Sequence, residues 1–320
     1  MAASINEVRN TVLAIANKNN YGYISPQDFN LYAQQAQMDM FEDYFYAYNT
    51  WTQKENARQS GIGYADINKN LSEVMDTFSM QVFLSQVNAN TYALPSDYYL
   101  INKLFYYSTP LYSGSITGIA AGNTITDSTQ SAVWTNIPNS APTPPIGSII
   151  VNTTTLQEAY VTKVDTPGTG TITVSANIFA IGNEYVIYSD TKIKEVERVD
   201  QNKIFYLTNS LLTAPTKSYP AYVLDANNIT VYPTTIMQKG AIRSQYIRYP
   251  YAPKWTYVNI GVGEPIFDAN QADFQDFELP KSDEPTLIAK ICQYVGIEIR
   301  EADVYNFGKG EENTETIETS

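Results

Sequence analysis

Between Thr109 and Asp190 the chain carries only six charged residues, Asp127, Glu158, Lys163, Asp165, Glu184 and Asp190. The rest of that stretch is built largely from Thr, Ser, Gly, Ile and Val. Runs such as GSIIVNTTTLQEAYVTKV and GTITVSANIF alternate at period two and are separated by Gly and Pro turns. That pattern predicts a small all-β module over 108–190, with APTPPIG (Ala141 to Gly147) as a loop inside it. Helical patterns stand at both ends of the chain, so the module is an insertion in a larger host. The expected class is α+β: an N-terminal helical region with one long helix, an antiparallel β core, the inserted module, a C-terminal helix and a flexible acidic tail. The expected segments are 1–107, 108–190, 191–308 and 309–320.

The first hundred residues read as helical. Ser4 with Glu7 forms a capping box ahead of Ile5, Val8, Val12 and Ile15. Ser25 is an N-cap, Pro26 suits the first helical position, and Asp28 completes a second box. From there Phe29, Ala33, Ala36, Met40, Tyr44 and Tyr48 form one stripe, running on to about Gln59 for a helix of roughly 50 Å. Phe41, Phe45 and Tyr46 lie off that stripe, so another surface is expected to cover them. A third helix is expected over Asp66 to Ser79.

From Tyr92 the character changes, and ALPSDYYLINKLFYY reads as the start of a sheet. IKEVERVD, KIFYLT and AYVLDANNITVYP read as strands, the last two resembling a meander with DANN as its turn. GAIRSQYIRYPYAPKW reads as one long strand ended by Pro250 and Pro253. Ser282 is expected to cap a last helix that holds Leu287, Ile288, Ile291, Cys292 and Val295 inward, with Gly296 beyond its end. A short helical turn through Glu301–Phe307 stops at Gly308, and the remaining residues read as disordered.

The chain has no histidine, which excludes Ser–His and Cys–His nucleophiles and His-ligated metals. Its single cysteine, Cys292, allows neither an intrachain disulfide nor a thiolate zinc site, and its apolar helical setting predicts a buried core thiol. DINKN at Asp66 begins like a calcium loop but has Leu71 where the glycine belongs and Thr77 where the bidentate glutamate belongs. The acid pairs Asp273 with Asp276 and Glu42 with Asp43 lack a sugar-cleft pattern. No catalytic constellation, metal or cofactor is expected. The sequence has no signal peptide pattern and no run long enough to span a bilayer.

The net charge of −13 argues against a DNA groove gripped by basic side chains. Of the acidic excess, 12 acidic against 4 basic residues lie between Gln271 and Ser320. Lys192, Lys194, Arg198 and Lys203 cluster elsewhere, as do Lys239, Arg243, Arg248 and Lys254. Such asymmetry suits an acidic end that meets a neighbour's basic face, and equally a solvated tail. The 26 tyrosines supply large contact area at low rotamer cost.

VLAIANKNNYGYISPQDFNLYAQQAQMDMFEDYF resembles the N-terminal part of virion structural proteins of crAss-like tailed bacteriophages. ALPSDYYLI is similar to strand starts in phage connector and tail-tube proteins. YIRYPYAPKWTYV with FELPKSDEPTLIAKICQYVGIEIREADV resembles the C-terminal part of the same group. The resemblance covers roughly Ile5–Tyr107 and Lys192–Gly308. It implies a portal–tail connector or ring protein, assembled in the host bacterial cytoplasm into closed rings, commonly twelve-fold, below the portal. The implied partners are other copies of the chain, the portal protein and neighbouring tail or ring proteins. Genomic DNA would pass through without sequence-specific binding.

On this reading the subunit-interface residues are Phe41, Tyr44, Phe45 and Tyr48 on the long helix, with Arg248, Tyr249 and Trp255 in the proline-ended segment. Polar residues at Phe41 and Tyr44 are then expected to abolish the ring and leave a monomer. The competing expectation is a host-surface or carbohydrate-binding virion protein that uses exposed Tyr and Trp134 on the β-module.

Overall fold

The computed structural model describes residues 2–16, 24–57, 72–108, 110–120, 123–134, 144–165, 169–189, 193–259, 265–298, 305–306 and 308–310, with backbone only at 49 and 51–57. The class is α+β, and the chain divides into two compact units, 1–78 with 249–320, and 79–248.

In the first unit α1 (Ile5–Ala16) and α2 (Pro26–Ala57) both pack on α4 (Glu284–Glu298). The α1 stripe of Ile5, Val8 and Val12 is buried, and the Ile5 N–H donates to the Asp276 carboxylate. At the start of α2 the Ser25 hydroxyl donates to the Asp28 carboxylate and accepts the Asp28 N–H at 3.1 Å, the box that the sequence predicts. The core continues through Phe29, Ala33, Ala36 and Met40 on α2 and Leu287, Ile291, Cys292 and Val295 on α4. Between these helices Tyr32 stacks on Tyr294 at 6.1 Å, Tyr294 donates to Asp39, and Lys290 meets Asp43 at 3.0 Å.

Two helical expectations change. Gly296 lies inside α4, not beyond it, because the backbone of Tyr305 presses there: a Cβ on Gly296 would stand 2.6 Å from the Tyr305 nitrogen. Gly308 does not stop a helix either, since 308–310 are helical and a Cβ on Gly308 would meet the Ala289 carbonyl oxygen at 2.5 Å. Ser282 offers its hydroxyl to the Asp283 side chain in a 3₁₀ turn ahead of α4. Of the expected third helix, 72–76 are helical, 66–71 lie outside the described residues, and the chain leaves the helix before Ser79.

The second unit is built from strands that start at Ser79, earlier than the change of character at Tyr92. SMQVF and SQVN contain helix-tolerant Met and Gln, and long-range pairing overrides that local preference. An eight-stranded sheet holds β1 (Ser79–Phe83), β2 (Ser85–Asn88), β3 (Thr91–Ala93), β4 (Tyr98–Tyr107), β12 (Ile193–Arg198), β13 (Ala221–Asp225), β14 (Asn228–Tyr232) and β15 (Ile242–Arg248), in the order β1-β15-β4-β12-β13-β14-β3-β2. β1 and β2 are one run of chain bent at Leu84, yet they occupy opposite ends of that order. The sheet therefore closes on itself as a barrel. Its interior is the cluster of Leu84, Tyr92, Leu104, Tyr106, Val196, Tyr222, Ile229, Val231 and Ile242.

The seven-stranded sheet repeats the device. It holds β5 (Pro110–Ser115), β6 (Gly118–Ala120), β7 (Thr124–Thr126), β8 (Ile149–Asn152), β9 (Glu158–Val164), β10 (Thr171–Val174) and β11 (Glu184–Tyr188), ordered β5-β11-β8-β9-β10-β7-β6. β5 and β6 are again continuous, and at the bend Ile116 donates to the Asn183 carbonyl while Thr117 donates to that of Thr126. All seven strands come from the charge-poor stretch. Phe83 and Tyr107 of the first barrel meet Ile149, Val151 and Tyr188 of the second in a shared apolar cluster. Arg243 spans the same region, with Nη2 2.7 Å from Glu158 and Nη1 donating to the Tyr107 hydroxyl at 3.3 Å.

KIFYLT is not a strand. It lies in the helix α3 (Gln201–Asn209), and β12 and β13 on either side pair in parallel, Glu197 opposite Ala221. Parallel neighbours need a crossover, and this helix lies in it.

Candidate assembly surface

The residues singled out for subunit contact divide into two groups. Phe41, Arg248 and Trp255 are buried within the chain itself and have no surface to offer a neighbour. Phe41 packs against Phe45 at 5.0 Å, Phe78 at 5.1 Å and Tyr249 at 6.2 Å, so its cover is intramolecular. Trp255 lies under the Arg9 guanidinium at 3.8 Å, stacks on Tyr257 and Phe267, and donates its indole N–H to Asn6. A polar residue at Phe41 would disrupt this packing and so cannot isolate an interface effect. Tyr44, Phe45 and Tyr48 are half-buried, Tyr44 donating to Asp283, while Tyr249 and Tyr46 are exposed.

The opposed charges are also spent largely inside the chain. Lys239 meets Glu184 at 3.1 Å, Lys203 meets Asp200 at 3.2 Å, and Lys254 meets Asp273 at 2.5 Å. Asp273 belongs to the acidic end, which the sequence predicts either to meet a neighbour or to stay solvated. Lys281 pairs with Glu7 in the same way. Such exposed pairs add little stability, but they cancel the patches.

The most exposed large apolar side chains among the described residues, Leu211, Leu212 and Tyr219, follow the segment that the sequence predicts as a strand. No side chain of α3 is buried, and Phe205 and Tyr206 are 67% and 74% exposed with their rings 5.9 Å apart, edge to face. The chain then turns through Leu211 and Leu212, both fully in water, and folds back by a tight turn in which Thr216 and Tyr219 exchange backbone hydrogen bonds at 3.0 and 3.1 Å. Tyr219 is 82% exposed. Residues 200–219 thus form an arm rooted on the barrel. Val199 donates to the Tyr222 carbonyl at 2.9 Å, Gln201 to that of Leu224 at 3.3 Å, and Lys194 to the Ser218 hydroxyl at 3.2 Å. A short apolar run fits strand and helix periods equally, and Asp200 ahead of it was the signal for a helix.

Two shallow hollows lined by described residues of the β unit gather no reactive groups. One is lined by Asn102, Lys103, Glu195, Glu197, Arg198 and Tyr222, with Lys103 paired to Glu195 at 3.2 Å. The other lies by Ser113, Thr129, Thr153, Glu184, Tyr185 and Lys239. Burial, and then its hydrogen bond to the Asp127 carboxylate, push the Tyr185 phenol up, so it stays a donor. Cys292 is a buried thiol with its pKa pushed up to about 11 by burial, as its apolar setting predicts. Trp134, which the carbohydrate-binding reading needs on the surface, is buried against Tyr185 at 5.6 Å. Asp66, of the partial calcium loop, lies outside the described residues, and among those described no three His, Cys, Asp or Glu side chains group for a metal. No described helix is long and apolar enough to cross a membrane. No family model matches the chain, and no curated protein matches it.

Proposed function

We propose that the chain is a non-enzymatic structural component of a bacteriophage virion, a head-to-tail connector or tail ring protein that oligomerises around the DNA channel below the portal. The observation that carries this reading is the exposed apolar arm at 200–219. Five large apolar side chains in water on one short segment are the mark of a surface that another protein covers. The order of the N-terminal, ALPSDYYLI and C-terminal segments that resemble crAss-like phage proteins supplies the biological setting. The net charge of −13 supports a channel through which a phosphate backbone slides without sticking.

The test is the mass of the purified full-length chain in solution, alone and then mixed with its portal partner. A closed ring, either alone or on the portal, is the expected result. A monomer under both conditions overturns the reading.

A further inference from the structure

We infer that the 200–219 arm docks onto a second copy of this chain, as the contact that links one subunit to the next around the ring. The inference rests on the ring reading and adds to it the element that makes the contact.

Area supports a protein partner of standard size. At about 150–250 Å² for a large aromatic side chain and somewhat less for a leucine, Phe205, Tyr206, Leu211, Leu212 and Tyr219 present on the order of 800 Å², one partner's share of a stable interface. The shape of the β unit restricts the alternatives. Both sheets close through a bent strand, so neither leaves a long open edge for a copy to extend by strand addition. Contact must then run through side chains that stand off the barrels, and the arm supplies them. It is also held in place at its root by the bonds of Val199, Gln201 and Lys194, which lowers the ordering cost of binding.

Charge favours a second copy. The arm carries Lys203 and Lys217 against Asp200 alone, a positive segment on a chain of net −13. Lys217 is exposed, while Asp200 and Lys203 satisfy each other. An acidic neighbour is therefore what another copy offers, and the apolar tip does not suit a phosphate backbone. An arm on one face that seats on a different face of the next copy is a head-to-tail contact, the kind that closes into a ring.

The experiment uses full-length protein with Leu211→Asp and Leu212→Asp together. Both positions are fully exposed, so the fold should be untouched, as an unchanged circular dichroism spectrum and thermal midpoint would verify. Ile181→Asp, an exposed apolar site on the other barrel, is the control, and Tyr206→Ser is a second arm variant. Sedimentation across a concentration range, with and without the portal protein, reads the assembly. A photoreactive phenylalanine at position 206 reads the neighbour. The expected result is that both arm variants raise the assembly concentration by about 100-fold or more, the control does not, and crosslinks join chain to chain. A ring that survives the arm variants, or crosslinks that run only to the portal or to lipid, overturns the arm inference and leaves the ring reading standing. A wild-type monomer under every condition overturns both.

Discussion

Arg243 shows how a charge that the sequence makes countable becomes a charge with a fixed role. It sits on β15 beside Phe83, its guanidinium 2.7 Å from Glu158, with both side chains largely shielded. Arg243→Ala leaves the Glu158 carboxylate facing an apolar cluster and should cost about 2 kcal/mol, below the usual range for breaking a buried pair because Glu158 keeps some water. Urea unfolding of the variant checks the figure. Arg243→Met with Glu158→Leu should recover most of the loss, since a matched apolar pair removes both charges at once. Composition placed Arg243 in a basic cluster, and only the fold reveals that its partner lies on β9. The Cys292 thiol, by contrast, was legible, because a cysteine amid Leu287, Ile288, Ile291 and Val295 at helical spacing has nowhere to go but inward.

Helices with a cap and a long apolar stripe were legible from sequence, and short elements were not. The Ser25–Asp28 box and the Phe29 to Met40 stripe specify α2 by local chemistry alone. The DANN turn between β13 and β14 was equally plain, but the meander expected there also took in KIFYLT, which is helical. α3 was missed because its apolar residues face water, so no buried face imposes a period on it. Gly296 was misread for a related reason: glycine near a helix end usually marks the stop, whereas here a distant segment requires its small size. Gly296→Ala sets two effects against each other. Alanine gains about 1 kcal/mol of helix propensity, but its Cβ meets backbone at Tyr305, which cannot swing aside as a flexible side chain would. The clash should win, freeing 305–306 and 308–310 from α4, and faster proteolysis after Lys309 with α4 itself intact would report it.

The inserted module was visible as a composition, but its closure was not, since no local signal says that β5 and β6 lie at opposite ends of one sheet. The division at 78/79 and 248/249 was hidden too, because β1 finds β15 only across the whole unit, Ser79 opposite Ile247. A chain cut to residues 79–248 contains every strand of both barrels and should fold alone, with a single cooperative thermal transition and well-dispersed amide resonances. A broad melt and collapsed spectrum would mean that the barrels depend on the helices.

That nesting also sets a timetable for synthesis. α1 and α2 leave the ribosome first, yet α4, on which both pack, follows only after the entire 79–248 unit has been made. At about 5–20 residues per second, the intervening stretch of about 170 residues takes roughly 10–35 s to translate. Throughout that interval the faces of α1 and α2 that pack on α4 have no partner, so the nascent chain asks for a chaperone on its first helices while its middle is already folding.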